Sequence, residues 1–386
     1  LRNKFKNILR IEIDAKRIFG LDILRACAIL FVMMEHSCYL MPLNLKWVTN
    51  LFVFDGVTVF FVLSGFLIAG ILIKILNKQE PNKKVLFNFW VRRWFRTLPN
   101  YFLILLILIT LAVLYNKDFS VWNIERFFIF SQNLFNPHPS WFPEAWSLSV
   151  EEWFYLLIPT IIILLIKRFK FNIRKSILIT ACVIIIIVTT YRFIRFATIP
   201  KTDYIEWDLI FRKQVFTRLD SLMYGVLGAY IQFYLPVFWS KYKNILFTVG
   251  ITLFLLSKVM VPKILIVGGL YHCVFSFSEI SIATLFMLPL LSALKNGKGY
   301  LFRMITYISL ISYSMYLVNY SLIQVFLLDK ITISTNIYTA PFLKLFLYWF
   351  FTILLSILIY KFFEVPTTAL RDFYKVKRTK LIANRN

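Results

Sequence analysis

Leu51-Phe-Val-Phe-Asp55-Gly-Val-Thr-Val-Phe60-Phe-Val-Leu-Ser64-Gly65-Phe-Leu-Ile-Ala-Gly70-Ile-Leu-Ile-Lys74-Ile-Leu76 holds two charged residues in a long apolar run. A helix needs roughly 20 apolar residues to cross the hydrocarbon core of a bilayer, and this stretch exceeds that. Comparable runs lie on both sides of it. One precedes it, at 20–41, and eight follow, at 100–116, 145–166, 176–194, 219–238, 245–261, 277–294, 305–328 and 341–363. The run at 264–278 is short and Gly-rich and reads as a re-entrant or outer loop. The expected fold is therefore an all-α, polytopic transmembrane helix bundle of about ten spans. Composition agrees: 59% of the 386 residues are apolar and 16% charged, against about 45–50% and 25% in soluble domains.

A formal charge of +25 would suggest nucleic acid in a soluble protein. In a membrane protein the alternative is that cytoplasmic loops collect Lys and Arg. With the N-terminus inside and ten spans, the inner segments are 1–18, 74–96, 167–175, 241–243, 295–303 and 361–386. They carry 30 of the 44 Lys and Arg, the outer segments together with the adjoining outer ends of the spans carry 13, and Arg25 lies in the inner half of the first span. This asymmetry places both termini in the cytoplasm and accounts for the charge without nucleic acid. The domain reading is a basic tail at 1–18, rather than the start of a signal peptide, then one transmembrane domain at 19–366 and a second basic tail at 367–386. Cys27, Cys38, Cys182 and Cys273 lack CxxC spacing and sit in or beside apolar runs, so they read as packing residues, and no metal site is expected.

Ionisable residues inside spans are costly and mark function by default. The first span holds Asp22, Arg25, Glu35 and His36. Arg25 and His36 are eleven residues apart, which at 100° per residue puts them within about 20° on one helix face and about 16 Å apart along the axis. Asp22 lies near the same stripe, and Glu35 points elsewhere. His36 reads either as a cap in the dipole at the helix C-terminus or as a proton acceptor near neutral pH.

Other motifs carry paired readings. Ser64-Gly65 suits close helix packing, with a nucleophilic Ser64 the less favoured choice. Arg92-Arg93-Trp-Phe-Arg96-Thr-Leu-Pro99 closes an inner loop and suits either anionic lipid or a phosphate-bearing ligand gripped by guanidinium. In Trp146-Ser147-Leu-Ser149-Val-Glu151-Glu152-Trp-Phe-Tyr155, a Ser147 or Ser149 with a Glu resembles a helix cap. Thr217-Arg218-Leu-Asp220 reads as a structural ion pair heading the sixth span. Glu364-Val-Pro366 reads as a helix stop.

Taken in order, these pieces resemble the acyltransferase-3 family of integral membrane acyltransferases. They are Gly20-Leu-Asp-Ile-Leu-Arg25 with ten residues to His36, Phe60-Phe-Val-Leu-Ser64-Gly65-Phe66, Arg93-Trp-Phe-Arg96 with Pro99, the Trp146–Tyr155 motif, Thr217-Arg218-Leu-Asp220 and Glu364-Val-Pro366. The resemblance covers residues 18 to 370 or so. It implies an enzyme, an acyl-CoA-dependent O-acetyltransferase of the cell envelope; the low cysteine count and short loops suggest a bacterial cytoplasmic (inner) membrane. The acyl group, most often acetyl, would pass from cytoplasmic acyl-CoA to a hydroxyl of a glycan, polysaccharide, lipid-linked sugar or small molecule outside. No cofactor is implied beyond acyl-CoA as co-substrate. His36 matches the family's essential histidine and Arg25 its partner, and Arg93 and Arg96, with Arg92 beside them, match the arginines thought to hold the donor. Two departures stand out: Thr58 where many relatives have Asp, and Asn319 where many have His.

The implied chemistry has the pantetheine arm of the donor rising past Arg25 to His36. His36 would act as general base or transient acyl carrier, and Glu151 would polarise His36 or bind the acceptor. Asp22, Ser64, Ser147, Arg218 and Asp220 are the candidate acceptor-binding or supporting residues. A transporter or flippase of a lipid or acylated sugar also fits ten spans with buried charges. That alternative predicts movement without consumption of a thioester.

Overall fold

The protein, seen here as a computed structural model, is described over residues 17–41, 46–115, 124–199, 203–264, 269–331 and 339–370. The basic tails lie almost wholly outside those residues. Helices stand at all ten apolar runs: α1 (Phe19–Ser37), α2 (Gly56–Leu76), α3 (Lys83–Tyr115), α4 (Ala145–Arg168), α5 (Ile173–Thr198), α6 (Leu219–Tyr234), α7 (Lys243–Ile264), α8 (Ser276–Ala293), α9 (Gly299–Val318) and α10 (Thr339–Ile359). Among the described residues, eight helical stretches are long and apolar enough to cross a membrane. Helices α6 and α7 are the other two, and α6 has only 16 residues. No strand occurs among the described residues. The molecule is an all-α, multi-pass membrane protein.

Helix α1 sits at the centre, packed on α2, α8 and α9, and α2 also packs on α6, α8 and α4. The α2–α6 crossing depends on glycine at two points. A Cβ on Gly65 would lie 2.0 Å from the Leu222 carbonyl oxygen, and one on Gly225 would lie 2.1 Å from that of Val62. Such close backbone approach is the usual use of small residues between membrane helices. Around this core the bundle exposes large apolar side chains, among them Leu114 on α3, Leu164 on α4, Ile186 on α5 and Phe346 on α10. A helix apolar all round belongs in lipid.

Four expectations are corrected. The segment with Arg92, Arg93 and Arg96 is not loop, because α3 begins at Lys83 and runs through Pro99. Its first turns are amphipathic, with Val85, Leu86, Phe89 and Trp90 at helical spacing, and Asn82 accepts from the Val85 N–H at 2.9 Å as a cap. The stretch at 264–278, expected as a re-entrant or outer loop, is helical from Tyr271, where a π turn (Tyr271–Phe275) leads into α8; residues 265–268 lie outside the described set. Pro366 does not stop the last span. A π turn, Tyr360–Glu364, follows α10, and helix continues to Leu370. The wider i→i+5 turn gives room where a proline ring would otherwise crowd the preceding turn. Arg218 and Asp220 form no mutual ion pair, as described below. The described residues contain no disulfide.

Candidate active site

One cavity of about 550 Å³ opens between α1, α2, α3, α4, α9 and the turn after α10. Arg25 lines it from α1, Ser64 from α2, Arg93 and Arg96 from α3, Ser147, Glu151 and Tyr155 from α4, and Tyr313 and Tyr316 from α9. Arg96 is exposed at its mouth. Arg92, one residue before Arg93 and so about 100° round the helix, is exposed and outside the lining.

Each wall is fixed by hydrogen bonds. Asp22 is held by Arg17, whose Nε donates at 3.0 Å and whose Nη2 contacts the other oxygen, and by the Ser309 hydroxyl at 2.8 Å. Arg25 is therefore left at 4.0 Å from Asp22, with its guanidinium on the cavity. Glu151 is not a cap, since α4 starts at Ala145 and Glu151 lies in its second turn. Its carboxylate accepts from Tyr155 Oη at 2.8 Å, and Tyr155 Oη meets Ser64 Oγ at 3.1 Å. Glu151 thus stands in the cavity with Arg25 and Arg96 rather than beside His36. Ser64 presents a hydroxyl to the cavity while its neighbour Gly65 makes the close packing.

Two functional candidates are not legible as such in the sequence. Glu364, which reads there as part of a helix stop, reaches the cavity wall and accepts from Asn100 Nδ2 at 2.7 Å and Ser314 Oγ at 2.8 Å. Tyr155 is visible there only as the end of a motif. The available signals are a carboxylate at a span end for Glu364 and a polar side chain inside a span for Tyr155.

At the far end of α1 the side chains separate as the 100° rule predicts. Glu35 turns to Arg212, at 3.1 Å, and Arg212 also holds Asp208 at 3.2 Å. His36 turns to α9: its Nδ1 lies 2.5 Å from Asn319 Oδ1 and its ring 4.8 Å from that of Tyr320. Asn319 begins a π-helical segment, Asn319–Leu328, directly after α9. One turn before it, Tyr316 lines the cavity and its hydroxyl meets Ser147 Oγ at 2.6 Å. The Ser147 hydroxyl therefore ties α4 to α9 and does not cap α4.

Glu144, just before α4, is buried and accepts from the Ser321 N–H at 3.0 Å and the Ser321 hydroxyl at 2.6 Å. Burial pushes its carboxyl up to about 7, against the pull of those donors.

The Arg218–Asp220 motif divides between two partners. Asp220 pairs with Arg192 of α5 at 2.6 Å, with both side chains fully buried. Arg218 reaches the Thr58 hydroxyl and lies 3.8 Å from Asp55. Thr58 Oγ1 in turn donates to Asp55 Oδ2 at 2.6 Å, so this threonine passes the Arg218 contact on to the carboxylate that caps α2. Phe277 covers the Arg218 guanidinium at 4.1 Å from the ring centroid.

A family model described as an acyltransferase domain, acyltransferase-3, matches residues 18–361. The chain is similar to a protein named O-acetyltransferase OatA from Staphylococcus aureus (strain NCTC 8325 / PS 47), at 28% identity over 79% of this chain and 50% of the relative. It is also similar to a Listeria monocytogenes protein named peptidoglycan O-acetyltransferase OatA, at 32% identity over 40% of this chain and 26% of the relative. The chain spans about half the length of the first of these. No solved structure matches.

Proposed function

This chain belongs to the acyltransferase-3 family, and from that premise we propose that it is an O-acetyltransferase of a bacterial cytoplasmic membrane. The donor is acyl-CoA, with acetyl as the acyl group, and the acceptor is a sugar hydroxyl of a cell-envelope glycan. Peptidoglycan is the acceptor class in the name of the Listeria relative. One observation carries the reading: a single face of α1 presents Arg25 to a cavity with Arg96 at its mouth, while His36 stands further along at the other end.

The positive mouth suits the phosphates of coenzyme A, since guanidinium grips phosphate oxygens in pairs. The lining between Arg96 and Tyr316 mixes hydroxyls with apolar side chains, which suits a pantetheine arm. In the reaction the acceptor oxygen bonds to the thioester carbonyl carbon, the C–S bond breaks, and coenzyme A leaves as the thiol. His36 takes the hydroxyl proton, or first accepts the acyl group and passes it on. Arg25, about 16 Å from His36 along α1, orients the donor in the cavity rather than touching the reacting carbon. Both basic tails, and the mouth with Arg93 and Arg96, face the cytoplasm, as the excess of Lys and Arg there supports.

The test is thiol release. Membranes with the wild-type chain, given acetyl-CoA, release free coenzyme A, and membranes with His36→Ala at equal level do not. Equal release from both would sink the reading.

A further inference from the structure

We propose that Asn319 is the positioning residue for His36: it holds the proton of the neutral imidazole on Nδ1, so that Nε2 is the nitrogen that meets the substrate. This rests on the reading of His36 as the reacting imidazole, and deepens it to the level of a single atom.

The direction in which the Asn319 amide faces decides the matter. Its Nδ2 lies 2.9 Å from the Met315 carbonyl oxygen and 2.7 Å from that of Tyr316. Backbone carbonyls can only accept, so the NH₂ group must face them and Oδ1 must face the other way. The reverse orientation would set three oxygens against one another in a buried site, since Asn319 is 0% exposed. Helix geometry explains why those carbonyls are within reach. Asn319 is where i→i+4 bonding gives way to the π-helical segment, and such changes of bonding leave a side chain room to satisfy the preceding turn.

With its NH₂ committed, Asn319 offers His36 only an acceptor. Oδ1 receives the Tyr348 hydroxyl at 3.2 Å and faces His36 Nδ1 at 2.5 Å. Two lone pairs thus meet two donors, and the contact to Nδ1 is favourable only if Nδ1 carries hydrogen. A neutral imidazole has one N–H, so Nε2 keeps its lone pair. Among the described residues the bond at Nδ1 is the hydrogen bond His36 makes, and the ring is only half-buried. Nε2 is therefore the end available to take a proton or an acyl group. Ring orientation is set at the same time, by Asn319 on one side and Tyr320 at 4.8 Å on the other. Because Asn319 is neutral, it fixes the tautomer without adding a charge beside the reacting group.

The chain holds three histidines, which makes the proton visible. Full-length protein with ¹⁵N-histidine, in lipid nanodiscs at a pH where His36 is neutral, would be read by the one- and two-bond ¹H–¹⁵N couplings that separate the tautomers. A His36→Gln sample identifies the His36 signals. Expected is protonated Nδ1 and unprotonated Nε2 in the wild type, and loss of that single tautomer in Asn319→Leu. The same variant should lower kcat for acetyl transfer about tenfold or more, with KM for acetyl-CoA within about twofold. A wild-type His36 protonated at Nε2 would overturn the proposal whatever the activity, and so would an Asn319→Leu protein that keeps the Nδ1–H tautomer. If the tautomer is as stated but no membrane preparation consumes acetyl-CoA, the assignment of Asn319 stands and the acyltransferase reading fails instead.

Discussion

Glu144 makes the stability of this protein depend on pH, with a sign and size that follow from its surroundings. It is 3% exposed, and its carboxyl titrates at about 7 in the folded protein, against an ordinary value of 4.5. Burial is the larger cause, and the two Ser321 donors offset only part of it. A folded-state value above the unfolded one means that the folded protein holds the proton more tightly. Stability from this group is then full below about 4.5 and is lost as pH rises to about 7. Each tenfold change in proton affinity is worth about 1.4 kcal/mol, so the loss across the window is about 3 kcal/mol. Glu144→Gln mimics the protonated acid: its oxygen still accepts from the Ser321 N–H and its amide can donate to the hydroxyl. Thermal unfolding of detergent-solubilised protein, read by intrinsic tryptophan fluorescence across that pH window and beyond it, should show the wild type losing stability with pH relative to Glu144→Gln. The variant should be the more stable of the two once the wild-type carboxyl has ionised. Parallel curves for the two proteins would show that burial of Glu144 does not hold its proton in this way.

Other perturbations test the frame and the donor site. Gly65→Ala places a Cβ 2.0 Å from the Leu222 carbonyl oxygen, so α2 and α6 must part; overpacking of this kind costs about 1–3 kcal/mol, measurable as a lowered unfolding temperature. Arg192→Leu strands the fully buried Asp220 and should cost about 3–5 kcal/mol, and a protein with unchanged thermal stability would show that the pair carries no such weight. Arg96→Gln removes a charge at the cavity mouth and should raise KM for acetyl-CoA about tenfold or more with little change in kcat, as loss of uniform binding does; an unchanged KM would place the donor phosphates elsewhere.

How much of this is legible in the sequence follows the range of the physics. Apolar runs are local, and all ten helices stand where those runs put them. The 100° rule is local too, and it separates Glu35, which turns to Arg212, from His36, which turns to Asn319. Partner choice is not local. Asp220 chooses Arg192 over Arg218, two residues away, because α5 crosses α6 there while α2 brings Thr58 and Asp55 to Arg218. Arg192 itself sits within an apolar run, so the rule that flags Arg25 could have flagged it. The full length of α3 escapes a search for spans because its first turns are amphipathic rather than apolar. Glu364 reads as a helix stop when Pro366 is weighed without the π turn that accommodates it. Nothing short of the fold could have shown that Asn319, a departure from the family pattern, faces His36.

Whether this chain moves an acyl group onto a glycan is decided by following that group. Membranes carrying the wild-type chain would be given acetyl-CoA labelled in the acetyl group, together with peptidoglycan glycan strands, and ester-linked label on the strands would be released by mild base and counted. Transfer through His36 predicts base-labile label from the wild type and background from His36→Ala. Label reaching the strands equally in both would mean that this histidine does not perform the transfer.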